Sequence, residues 1–174
     1  MVAGTIKPIV LMGFMGSGKS TLGRKVAAEL NRTFIDLDRF IEAEENRNIP
    51  DIFEKDGEAA FRKLEANALK RILAHPHQVI SIGGGAPCNP VNLRQIKEMA
   101  VSVYLKISEP ELLKRLVYSS TERPLLKGKS EDEIRSLISG LLAAREPFYI
   151  QADIIIESDA ITPGMILSHL PARV

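Results

Sequence analysis

An α/β domain with a parallel sheet and helices on both faces is the fold this sequence predicts, and three observations predict it. Short β-branched runs alternate along the chain with stretches of helical periodicity. A glycine-rich loop, "GFMGSGKST" from Gly13 to Thr21, sits between the first apolar run and the first helical stretch. The chain has 174 residues and no repeat, low-complexity tract or linker, so one domain spanning 1–174 is expected.

The elements follow in order. "TIKPIVLM" reads as the first strand, with Pro8 at its start, where the missing N–H costs no ladder bond. "STLGRKVAAEL" is the helix behind the glycine loop, "RTFID" the second strand and "RFIEAEEN" the helix after it. In "FRKLEANALKRIL" the residues Phe61, Leu64, Ala68, Leu69 and Ile72 recur at three- and four-residue steps, which buries one helix face. "QVISI" and "VSVYLK" are the third and fourth strands. "EPELLKRLVY" and "SEDEIRSLISGLLAAR" are helices, the second opening on a capping-box spacing, Ser130 to Glu133. Polar, basic "SSTERPLLKGK" between them reads as a mobile surface loop, and "ADIIIE" as the fifth strand before one C-terminal packing helix. Five strands with intervening helices predict a doubly wound, three-layer fold.

Lys and Arg number 23 against 22 Asp and Glu, a formal net charge of +1, so nothing electrostatic points to nucleic acid or a membrane surface. Cys88 is the single cysteine, which excludes an internal disulfide and suits a reducing compartment. With no signal pattern and no membrane-length apolar run, a cytoplasmic protein is expected, and no exposed apolar stripe argues against a monomer.

Gly13, Gly18, Lys19 and Ser20 satisfy G-x-x-x-x-G-K-[ST] in full, between a strand and a helix. Glycines let backbone N–H groups wrap phosphates at a helix N-terminus. Lys19 is placed for the β- and γ-phosphates of a nucleotide and the Ser20 hydroxyl for Mg²⁺. No N-K-x-D guanine-reading motif is present. "FIDLD" ends in Asp36 and Asp38; at a strand-to-helix turn both can face the crevice, one toward a metal water, the other toward a hydroxyl proton. A helix cap is the alternative reading for Asp38. Arg62 and Glu65 in "FRKLE" share a helix face, which suits an arginine grip on a carboxylate or phosphate, or an ordinary solvated pair. "GGGAP" (Gly83, Gly84, Gly85) behind a strand lets a ligand press on main-chain N–H groups, or marks a flexible turn. Arg123 in "ERPLL" suits a lid that closes over phosphates, against a solvated loop arginine. Arg145, before Pro147, complements the dipole of its helix.

Taken together, "GFMGSGKSTLGRKVAAEL", "FIDLD", "FRKLE", "GGGA", "RPLL" and "REPFY" resemble the shikimate kinase family of nucleoside-monophosphate-kinase-like phosphate-loop folds, in its order and at about its spacing from Val10 to about Asp153. The resemblance implies transfer of the ATP γ-phosphoryl group to shikimate, with Mg²⁺ as cofactor. It places Gly16, Ser17, Gly18, Lys19, Ser20 and Thr21 on the ATP phosphates, Ser20 on Mg²⁺ and Asp36 near its water shell. Asp38 would activate the receiving hydroxyl, Arg62 and Arg145 would clamp the shikimate carboxylate, and Gly84, between Gly83 and Gly85, would add a backbone contact. Lys19, Asp38 and Arg123 form the catalytic set, with Arg123 the lid arginine. The substrate-binding segment would run from about 38 to 68 and the lid from about 119 to 129. Two departures stand out. "APCNP" is unlike the commoner form after the glycines, and Leu116 replaces an arginine expected seven residues before Arg123, with Arg115 one step away. A gluconate kinase of the same fold and a nucleotide-binding switch module are the competing readings.

Overall fold

A computed structural model describes residues 6–118 and 126–172. Among these, five parallel strands form one sheet: β1 (Ile9–Met12), β2 (Thr33–Asp36), β3 (Gln78–Ser81), β4 (Val101–Lys106) and β5 (Ile154–Glu157), in the order β2-β3-β1-β4-β5. β1 takes the centre because it is apolar throughout; Ile9, Val10, Leu11 and Met12 are fully buried. Its side chains alternate between faces. Ile9 and Leu11 meet Leu22 and Val26 of α1 (Lys19–Glu29) and Ile166 of α8 (Pro163–His169). Val10 and Met12 meet Leu69 of α4 (Glu58–Leu73), Ile96 of α5 (Pro90–Met99) and Ile138 of α7 (Glu131–Tyr149). The result is the three-layer, doubly wound architecture expected. The remaining helices are α2 (Leu37–Glu45), α3 (Ile49–Asp56) and α6 (Glu109–Val117), with a 3₁₀ turn at Ala86–Cys88.

The chain leaves β1 for the edge strand β2, returns to β3 and then crosses to β4 on the other side of β1. Register aligns Leu11, Ser81 and Asp36 across β1, β3 and β2, so these three strands end side by side. A crevice opens there, as it does where strand order reverses.

Several expected boundaries move for local reasons. β1 begins directly after Pro8, and Thr5 lies outside the described residues. The helix expected from Arg39 starts at Leu37, and its cap is Asp36, whose carboxylate accepts the Arg39 N–H at 3.5 Å; Asp38 sits inside the first turn and is not the cap. α3, capped by Asn48, fills a stretch with no sequence assignment. α7 opens on the expected capping box, with Ser130 N–H donating to Glu133 at 2.7 Å. It continues four residues past Arg145, through Pro147, to Tyr149. Arg123 and most of the expected lid lie outside the described residues. Among the described residues no helix is long and apolar enough to cross a membrane.

Leu69 of α4 is fully buried while its neighbour Lys70 is exposed. Leu69→Ala should lower unfolding stability in urea by about 2–5 kcal/mol, and Lys70→Ala by no more than about 0.5 kcal/mol.

Candidate active site

The phosphate loop leaves β1 at Gly13, whose φ is 145° and where an added Cβ would stand 2.8 Å from the Leu105 carbonyl oxygen; only glycine fits. Gly16 and Gly18 are left-handed, with φ of 83° and 90°. Gly18 leads into α1, which has no side-chain cap, so its first N–H groups stay directed at the loop's concavity. Lys19 folds back on the loop and donates to the carbonyls of Gly13 at 2.8 Å and Phe14 at 2.9 Å. Ser17 turns inward; its hydroxyl is buried with no hydrogen-bond partner among the described residues, so its side chain takes no part in the cavity wall.

Ser20 donates to Asp36 at 2.7 Å and lies 3.2 Å from the Ser81 hydroxyl at the end of β3. Asp36 therefore has two tasks, capping α2 and receiving Ser20. Asp38, two residues further on, points back toward the glycines. Burial, and then the carboxylates of Asp36 and Glu65, push its carboxyl up to about 6, against the pull of Lys19.

The three glycines behind β3 do not form a loose turn. A Cβ on Gly83 would stand 3.2 Å from an Asp38 carboxylate oxygen. On Gly84 it would meet Arg145 Nη1 at 3.2 Å and the Tyr149 hydroxyl at 3.3 Å, and on Gly85 it would meet Arg62 Nη2 at 3.2 Å. Each glycine thus packs against one of the three side chains read as substrate-side. Tyr149, fully buried, donates to the Gly84 carbonyl at 2.6 Å, and burial pushes its phenol up to about 12 despite the opposing pull of Arg145. Arg145 lies over the Phe14 ring, 5.7 Å from its centroid, which ties the second arginine to the phosphate loop. Arg62 donates to Glu65 through Nη1 at 3.2 and 3.0 Å, and to the exposed Glu58 through Nε and Nη2. It is not the solvated pair of the alternative reading, because the Glu65 side chain is only 2% exposed.

These parts surround an open cavity of about 520 Å³. Of the residues expected from sequence, Gly16, Gly18, Lys19, Ser20, Thr21, Asp36, Asp38, Gly83 and Gly84 wall it. Arg62, Gly85 and Arg145 stand next to its glycine wall without lining it. Six residues not assigned to the site from sequence also line it: Met15, Arg24, Arg39, Ser81, Ile82 and Arg115. Arg24 follows Ser20 by four residues on α1, a same-face spacing that the sequence carried. Arg115, the neighbour of the unexpected Leu116, donates to the Gly16 carbonyl at 3.4 Å, while Leu116 is buried against Gly16. Asn89 is used up as the cap of α5, donor contact coming from Val91 N–H at 3.0 Å. Cys88 is half-buried near Arg145 and Arg62, and burial raises its thiol, so it is a poor nucleophile.

A phosphate loop, a carboxylate beside it and two arginines held against one glycine turn define a small-molecule kinase of the phosphate-loop class. The shikimate kinase family model matches residues 15–173. The chain belongs to the shikimate kinase family, whose reaction moves the γ-phosphoryl group of ATP to shikimate. It is 40% identical to the shikimate kinase of Parabacteroides distasonis over 88% of this chain and 89% of that one. The crystal structure of shikimate kinase from Bacteroides thetaiotaomicron superposes with a TM-score of 0.85 at 40% identity, covering 89% of this chain and 88% of that one. The Acinetobacter baumannii shikimate kinase in complex with shikimate gives 0.82 at 34% identity, covering 94% and 90%.

Because Asp38 becomes neutral as pH falls through about 6, it loses its capacity to accept a hydroxyl proton below that value. A pH series of kcat/KM for shikimate should show an acid limb near 6, and Asp38→Asn should abolish the limb together with most of the rate.

Proposed function

We propose a specific division of labour among these residues for phosphoryl transfer from ATP to the 3-hydroxyl of shikimate, which gives shikimate 3-phosphate. The observation that carries it is the packing of Gly83, Gly84 and Gly85 against Asp38, Arg145 and Arg62 in turn. One main-chain turn thereby sets the relative positions of a proton acceptor and two carboxylate-binding cations. Arg62 and Arg145 hold the shikimate carboxylate, a bidentate task suited to guanidinium. The Gly84 N–H, whose peptide is held by the Ala86 N–H donating to the Gly83 carbonyl at 3.0 Å, adds a main-chain donor. Asp38 then receives the hydrogen bond of the 3-hydroxyl and takes its proton as the new P–O bond forms.

On the nucleotide side, the N–H groups of Gly16 to Thr21 cradle the phosphates. Lys19 leaves the Gly13 and Phe14 carbonyls for the β- and γ-phosphates, where its charge opposes the negative charge of the transition state. Arg115, on the cavity wall beside Gly16, supplies a planar cation on the nucleotide side. The lid role assigned to Arg123 belongs to the same proposal.

Ser20, Asp36 and Ser81 offer a hard oxygen set, with Ser20 2.7 Å from Asp36 and 3.2 Å from Ser81, which fits Mg²⁺ shared with phosphates and water. Bound there, Mg²⁺ supplies charge neutralisation at the phosphates. Among the described residues no group of three or more His, Cys, Asp or Glu could hold a metal by itself, which matches a metal brought with its nucleotide.

The large exposed apolar side chains include Phe53 of α3, Val91 of α5 and Ile155 of β5, which come from separate elements, and this supports a monomer. Light scattering on the eluting peak should give the mass of one chain.

ADP release from MgATP should require shikimate and fail with gluconate. Asp38→Asn should lose at least about a hundredfold in kcat while still binding ATP. Arg62→Ala and Arg145→Ala should raise KM for shikimate about tenfold or more, with KM for ATP unchanged. Normal turnover by the Asp38 variant would remove its role.

A further inference from the structure

Asn92 on α5 is fully buried, yet nothing in the reaction described above employs it. Its Nδ2 donates to Glu65 Oε2 at 3.1 Å and to the Ala86 carbonyl at 3.0 Å. One amide group therefore joins three pieces: α4, which carries Arg62; the residue directly behind the glycine turn; and the first turn of α5. Its Oδ1 is buried with no hydrogen-bond partner among the described residues. An orphaned buried carbonyl costs free energy, and a leucine of similar size would fill the space without that cost. The amide also has a fixed sense, since turning it over would set its oxygen against two acceptors. Packing alone does not account for such a residue; its two N–H groups do.

One of those N–H groups acts on Glu65, and the other holds the Ala86 carbonyl. Arg62 is held by Glu65 through Nη1, and its other partner, Glu58, has a side chain 69% exposed and fixes little. The direction in which Arg62 presents its guanidinium is thus set by where the Glu65 carboxylate lies. Asn92 fixes that carboxylate relative to Ala86, and so relative to Gly84 and Gly85.

We propose that Asn92 is a positioning residue for the shikimate carboxylate clamp, acting through Glu65 on Arg62 and tying both to the glycine turn. This rests on the reading of Arg62 as a substrate-binding residue. Glu65 supports the geometry in a second way. Burial pushes its carboxyl up, and Arg62 together with the Asn92 amide draws it back, so the amide helps keep Glu65 charged.

The test is steady-state kinetics on the full chain with MgATP and shikimate, using Asn92→Leu, Glu65→Gln, their double variant and Arg62→Ala. Asn92→Leu should raise KM for shikimate about tenfold, as expected for a lost hydrogen bond to a charged group, with KM for ATP unchanged and kcat within about threefold. In the Glu65→Gln background the Asn92 substitution should add nothing, because its route to Arg62 is already cut. A wild-type KM for shikimate in Asn92→Leu, equal rises in both KM values, or additivity with Glu65→Gln would each overturn the proposal. If Arg62→Ala leaves KM for shikimate unchanged, the reading of Arg62 itself fails, and that is distinct from an effect of Arg62→Ala not shared by Asn92→Leu, which overturns only the role of Asn92. Should the leucine variant misfold, Asn92→Ala, which opens space in place of crowding it, is judged by the same three criteria.

Discussion

Close approach of backbone to side chain at residues 83–85 is the constraint on which the acceptor half of this protein depends. A β-carbon at any of the three positions would fall about 3.2 Å from a charged group, and those groups come from three separate helices, α2, α4 and α7. The turn works as a template: because its backbone is bare, an aspartate and two arginines can converge on it from different directions. The sheet makes the template rigid. β3 is hydrogen-bonded on both sides, by β1 and β2, so the turn hangs from a strand that cannot shift without breaking two ladders.

The electrostatics follow from that convergence. The chain is almost neutral, with a formal charge of +1, yet burial, with the nearby Asp36 and Glu65 carboxylates, raises the Asp38 carboxyl, and Lys19 opposes them. Nucleotide and substrate both arrive as anions. Lys19, tethered to loop carbonyls, and Arg62, tethered to Glu65, hold positive charge in fixed places around the cavity, which under the proposed division of labour is where each anion would lie.

Much of this was legible in the sequence, and the parts that were share a cause. The phosphate loop is a contiguous local solution, so its residues had to sit next to one another. The five strands announced themselves through β-branched runs, and the Ser130–Glu133 box marked the start of α7. Boundaries were harder: Asp36, not Asp38, caps α2, because the last residue of a strand can turn its carboxylate onto the following helix. α3 escaped notice because its eight residues bury only Ile52, too little periodicity to read. In the site, Asp38, Arg62 and Arg145 carried weak local signals and gained meaning only as an ordered set. Ser81, Arg24 and Arg39 line the cavity through the accident of which strand ends and helix faces meet there. Asn92 was silent for the same reason. Its two acceptors lie 27 and 6 residues away, and no local pattern marks a buried amide of that kind.

The lysine of the phosphate loop, folded onto Gly13 and Phe14, sets a threshold for entry. Two charge-assisted hydrogen bonds, together worth several kcal/mol before solvation is counted, close the ring of the loop from within and keep its shape ready. A visitor must outbid two carbonyls to recruit that ammonium group. Recruiting the ammonium therefore means opening a ring of hydrogen bonds that the loop has already closed.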